Sequence, residues 1–151
     1  MSSDLRGLYQ EVIIDHSKQP RNFRKIDDAT RSVEAVNPLC GDQITLYVKL
    51  ADGRIEDIAF EGAGCAISKA STSLMTTELK GTTEEHALEV FGSVHEMLTE
   101  GPDHVHHVDD LGKLAVLSGV WEFPARVKCA SLGWHALKSL LEASAETVST
   151  E

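Results

Sequence analysis

Residues 31–61 read in a period of two, and that stretch decides the architecture. Val33 and Ala35 alternate with polar neighbours up to Pro38, and Ile44, Leu46, Val48 and Leu50 alternate with Thr45, Tyr47 and Lys49. Asp52-Gly53 is a hairpin turn signal, because glycine accepts a positive φ, and Ile55, Ile58 and Phe60 supply a third strand. On either side the period changes to that of a helix. Leu5, Leu8, Tyr9, Val12 and Ile13 lie on one face of a helix over residues 4–16, which Pro20 ends. Ser68 is read as the N-cap of a helix running to Leu79 and stopped by Gly81. Thr82 or Thr83, followed by Glu84 and Glu85, opens another, carrying Leu88, Phe91, Val94, Met97 and Leu98. Leu111 to Val120 reads as a shorter helix, and Pro124 begins a last one with Val127, Leu132, Leu137, Leu140 and Leu141. The order predicts an α+β domain: a three-stranded antiparallel sheet covered by helices on one side. Its 151 residues suit a single domain over 1–151, with residues 146–151 as a frayed tail.

Against this layout the cysteines fall at turns and element boundaries. Cys40 sits in Asn37-Pro38-Leu39-Cys40-Gly41-Asp42, between the first two strands. Cys65 follows Gly62-Ala63-Gly64 after the third strand, and Cys129 lies in Arg126-Val127-Lys128-Cys129 near the start of the last helix. Structural cysteines sit more often inside apolar runs, so this placement points to thiols kept for chemistry. Three thiolates and the Asp42 carboxylate make a four-coordinate set suited to zinc or an iron–sulfur unit. The dispersed spacing is unlike the close pairs of zinc fingers, and three unrelated thiols would give the same count.

Composition excludes several classes. An odd number of cysteines, none closely paired, argues against a disulfide framework and for a reducing, cytoplasmic setting. A formal net charge of −10 argues against a nucleic-acid surface. No stretch is apolar and long enough to span a membrane, and Met1-Ser2-Ser3-Asp4 lacks the regions of a signal peptide. His104, His106 and His107, with Asp103, Asp109 and Asp110, could hold a metal but read more simply as a solvated loop. His16 reads as a cation at a helix C-terminus. Arg126 and Lys128 either tune the neighbouring thiol or are ordinary helix-surface charge, and Met75, Met97 and Trp134 read as core.

The motifs together resemble the iron–sulfur assembly family that includes IscU, the N-terminal domain of NifU, and SufU. Leu8-Tyr9-Gln10-Glu11-Val12-Ile13-Ile14-Asp15-His16 with Pro20-Arg21-Asn22-Phe23 looks like the family's opening. Asn37 to Asp42, Gly64-Cys65-Ala66-Ile67-Ser68 with Ala70-Ser71, and Arg126 to Cys129 look like its three cysteine motifs, in order. Arg24 stands where many relatives have glycine. Lys128 stands where the IscU branch has histidine, and residues 95–120 look like the insertion of the SufU branch.

The resemblance implies a SufE/NifU-like fold and a zinc ion held by Cys40, Asp42, Cys65 and Cys129. It implies a sulfurtransferase whose Cys40 accepts persulfide sulfur from a SufS-type, pyridoxal-phosphate-dependent cysteine desulfurase. A histidine of the desulfurase is expected to replace the cysteine on zinc, and the sulfur passes on to a downstream iron–sulfur scaffold. The alternative is an IscU-type scaffold that holds a transient iron–sulfur cluster itself. A purely structural zinc module fits less well, since such sites favour closely paired Cys and His ligands.

Overall fold

The computed structural model describes residues 3–38, 41–101, 108–142 and 147–149, with side chains described in 10–38, 41–101, 111–120 and 122–142. The elements run α1 (Ser3–Lys18), β1 (Arg31–Asn37), β2 (Asp42–Ala51), β3 (Arg54–Ala63), α2 (Ala66–Leu79) and α3 (Glu84–Glu100). A run of 3₁₀ turns (Val108–Glu122), α4 (Pro124–Glu142) and β4 (Thr147–Ser149) follow. The expected antiparallel three-stranded sheet is present: β1 pairs with β2, and β2 with β3. Asp52 and Gly53 both take positive φ, 53° and 76°, at the tip of the β2–β3 hairpin.

The alternation sorts the strands into two faces. Val33 and Ala35 of β1, Ile44, Leu46 and Val48 of β2, and Ile58 and Phe60 of β3 are buried in one core with Leu74, Met75, Met97, Trp134 and Leu137 of the helices. Cross-strand partners on that face include Val33 with Leu46, Ala35 with Ile44, and Leu46 with Phe60. Asn37 and Asp42, also partners, end the same two inward-facing rows. Both are buried, so the apolar face of the sheet finishes in a polar edge.

Three local features differ from expectation. The 146–151 tail is not wholly frayed, because Thr147–Ser149 adds a fourth strand parallel to β1, giving the order β3-β2-β1-β4. Three residues are too few for alternation to announce a strand. The segment read as a helix over Leu111–Val120 is a 3₁₀ run broken at Gly112 (φ 58°, ψ −130°), which still buries Leu114 and Leu117. The N-cap of α2 is Cys65, one turn before Ser68, and its sulfur accepts the Ser68 N–H. The N-cap Thr83 and the start of α4 at Pro124 are as expected.

The loop after α1 is tied down by polar contacts. Asn22 takes φ 56°, which asparagine tolerates, and the loop lies along β3, with Phe60 N–H donating to Asn22 O and Arg24 N–H donating to Phe60 O. Arg24 pairs with Asp57 on β3 at 2.7 Å. Ser73 of α2 meets both His16 Nδ1, at 2.7 Å, and the Arg21 N–H, at 2.8 Å.

His16 does lie in the last turn of α1, but it is buried rather than a surface cation. Burial, and then the charge of Arg21, hold its pKa below the ordinary histidine value. Burial does the same to His135, helped by His95 and Lys138. The unfolded chain therefore takes up protons first as pH falls. Stability from these groups is full above about pH 6.5 and is lost as pH drops through that value toward the lower folded pKa values. Urea melts at pH 7.5 and pH 5.5 should show lower stability at pH 5.5. His16→Gln should shrink that difference; an unchanged difference would remove His16 from the account.

Candidate metal centre

Three of the four expected ligands meet at the polar end of the sheet. Asp42 enters β2 directly after Gly41, whose φ of 71° glycine adopts without a steric cost. Cys65 is brought to Asp42 by the preceding glycines. A Cβ on Gly64 would stand 2.7 Å from Asp42 Oδ1, so only a residue without one lets the backbone come so close. The approach is sealed by a hydrogen bond from Cys65 N–H to Asp42 Oδ1 at 2.7 Å. The other oxygen, Oδ2, lies 3.9 Å from Cys65 Sγ. Asp42 thus orients Cys65 with one oxygen and faces its sulfur with the other.

Cys129 reaches the site from the second turn of α4 and is fully buried. Its Sγ lies 3.7 Å from Ala125 O, one turn back, and accepts Asn37 Nδ2–H, also at 3.7 Å. Ser71 holds the crossing of α2 and α4 beside it, donating to Ala130 O at 2.6 Å and accepting from Trp134 Nε1–H at 3.1 Å. Cys65 is a free thiol.

One ligand atom each from Asp42, Cys65 and Cys129 lie within 4.8 Å of one another. The edge of a tetrahedron with zinc–sulfur bonds of about 2.3 Å is about 3.8 Å, so a small contraction closes this set on one ion. The donor chemistry fits as well: two soft sulfurs and one carboxylate, largely withdrawn from water. Among the described residues, two buried polar atoms next to these ligands, Asn37 Oδ1 and Ser68 Oγ, have no hydrogen-bond partner.

Cys40 lies outside the described residues, as do His104, His106 and His107. Asn37 is the participant the sequence reading missed as such, whereas the glycines before Cys65 were expected to let the backbone turn beside a ligand. A signal for Asn37 was present: it falls in register with Val33 and Ala35, so its amide had to point inward.

Comparison with known proteins places this arrangement. The NifU-like N-terminal domain family matches residues 8–130, which include all three segments that meet here. The chain belongs to this family. It is 43% identical over 143 residues to a protein of Streptococcus pyogenes serotype M1 named iron–sulfur cluster assembly scaffold protein IscU, covering 95% of this chain and 88% of that one. It is 44% identical over 137 residues to the zinc-dependent sulfurtransferase SufU of Bacillus subtilis (strain 168), covering 91% of each. Among solved structures it resembles a SufU described as an iron–sulfur cluster assembly scaffold protein for the SUF system, from Fervidobacterium islandicum AW-1. That match has a TM-score of 0.82 and 36% identity, over 93% of this chain and 99% of the other. Among the described residues no helix is long and apolar enough to cross a membrane.

Proposed function

We propose that this member of the iron–sulfur cluster assembly family is a zinc-dependent sulfur acceptor. It takes persulfide sulfur from a SufS-type cysteine desulfurase and delivers it to a downstream scaffold, in a reducing, cytoplasmic setting. The observation that carries the reading is the convergence of Asp42, Cys65 and Cys129, with Lys128, not histidine, before the third cysteine. Cys40 is the proposed fourth ligand and the sulfur acceptor. Zinc, when bound, supplies a Lewis acid that keeps its thiol ligands deprotonated at neutral pH.

The chain's own residues divide the work. Asp42, Cys65 and Cys129 come from a strand, a helix cap and a helix interior, and they would hold the ion. Cys40, between Leu39 and Gly41, would be the fourth ligand when the ion is bound, and its thiolate is the nucleophile. In transfer, the Cys40 thiolate attacks the outer sulfur of the desulfurase persulfide. A new S–S bond forms on Cys40, the S–S bond on the desulfurase breaks, and the electron pair returns to the desulfurase thiolate. No net oxidant or reductant is consumed.

Metal and sulfide content of protein purified without added metal tests the reading. The expected result is a colourless protein with one zinc and no acid-labile sulfide. A brown protein with stoichiometric iron and sulfide would overturn it in favour of the scaffold role.

A further inference from the structure

We infer that Asn37 is a positioning residue that holds Cys129 as the permanent sulfur ligand of the metal centre. The inference rests on the metal-site reading above and extends it to a residue outside the ligand set. Asn37 ends β1 with its side chain fully buried. Its cross-strand partner is Asp42, so one ladder position sets an amide opposite the carboxylate ligand. The same amide reaches across to α4 and donates Nδ2–H to Cys129 Sγ, over a separation in sequence of 92 residues. Asn37 therefore joins the strand position opposite Asp42, through its backbone, to Cys129 on the last helix, through its side chain.

The energetics say that this link has a purpose. Among the described residues the other half of the amide, Oδ1, is buried without a partner. A buried acceptor without a partner leaves its desolvation uncompensated. Apolar residues occupy the corresponding inward positions at Val33 and Ala35. An amide in their row is a poor choice for packing alone. It is a good choice for a sulfur that carries negative charge, because an N–H donor stabilises that charge and lowers the sulfur's nucleophilicity. If the amide were turned over, Oδ1 would face the sulfur, an arrangement that suits a thiol but repels a thiolate. With Nδ2–H toward the sulfur, the amide is placed to donate to a thiolate. A sulfur so held is a poor nucleophile and a fixed ligand, which leaves the transfer chemistry to another cysteine.

Cobalt(II) substitution tests this directly, since its sulfur-to-metal charge-transfer band reports electron density on the ligating sulfurs. The proteins compared are wild type, Asn37→Ala and Asn37→Asp, each checked by far-UV circular dichroism. Asn37→Asp keeps the shape and replaces the donor with an acceptor; Asn37→Ala removes both shape and donor. A donor role predicts that the band moves to lower energy in both, further in Asn37→Asp. It also predicts a fall in cobalt affinity of about 10–100-fold in chelator competition. A packing role predicts the reverse order, with Asn37→Asp near wild type, and that order overturns the inference. So does failure of both variants to fold. If Asn37→Ala alone fails to fold, Asn37→Asp decides. A wild-type cobalt protein with no thiolate charge-transfer band would instead overturn the metal-site reading itself.

Discussion

Cys40→Ser should abolish sulfur acceptance while leaving most of the bound zinc in place. Serine matches cysteine in shape, but its hydroxyl is a poor nucleophile toward a persulfide and cannot form the S–S bond that carries the sulfur. Asp42, Cys65 and Cys129 remain as a cluster without it, and water can complete the coordination. Loss of metal would therefore not account for loss of function. The check is an assay with a SufS-type desulfurase and cysteine, following alanine release and locating persulfide by mass spectrometry. The expected drop is to the rate of the desulfurase alone, with no persulfide on the variant. Full stimulation, with persulfide found on Cys129, would transfer the acceptor role to that residue and also contradict the fixed-ligand role given to it by Asn37.

Removing zinc should destabilise the fold by a large margin. Asp42 begins β2, Cys65 caps α2 and Cys129 lies in α4, so only the folded chain presents them together. Zinc at a thousand times its Kd contributes about 4 kcal/mol to a state that alone binds it. At about 2–4 °C per kcal/mol for a chain of this size, full chelation should lower Tm by roughly 8–16 °C. The measurement is a thermal melt before and after complete chelation, and again after zinc is restored. An unchanged Tm would mean that the core under the sheet sets stability alone and the ion is a guest.

How much of this was legible depended on how far each signal extends along the chain. The alternation of Ile44, Leu46 and Val48 repeats often enough to declare a strand and its buried face, and the helical spacing of Phe91, Val94 and Leu98 does the same for α3. The cysteines and Asp42 could be grouped as ligands because they flank turns, where chain reversal brings distant segments to one end of a sheet. Features resting on one or two residues were harder to read. The Cys65 cap was misplaced because serine is the commoner cap, whereas tertiary contact with Asp42 fixes where α2 begins. Gly112 converts an apolar stretch from helix to 3₁₀ turns through one backbone angle. His16 has the sequence position of a surface cation, and only the docking of α1 on Ser73 shows that it is buried.

The loop of Asn22, Phe23 and Arg24 has a bearing on how other proteins can engage this one. Its backbone satisfies both polar groups of Phe60 on the outer strand, and Thr82 and Gly81 do the same for Ile55 nearer the hairpin. At the opposite margin the last strand is three residues long. Among the described residues neither margin offers a long open ladder, which disfavours a partner that adds its own strand, in recognition or in aggregation. A partner that reads side chains and shape suits these margins better than one that extends the sheet.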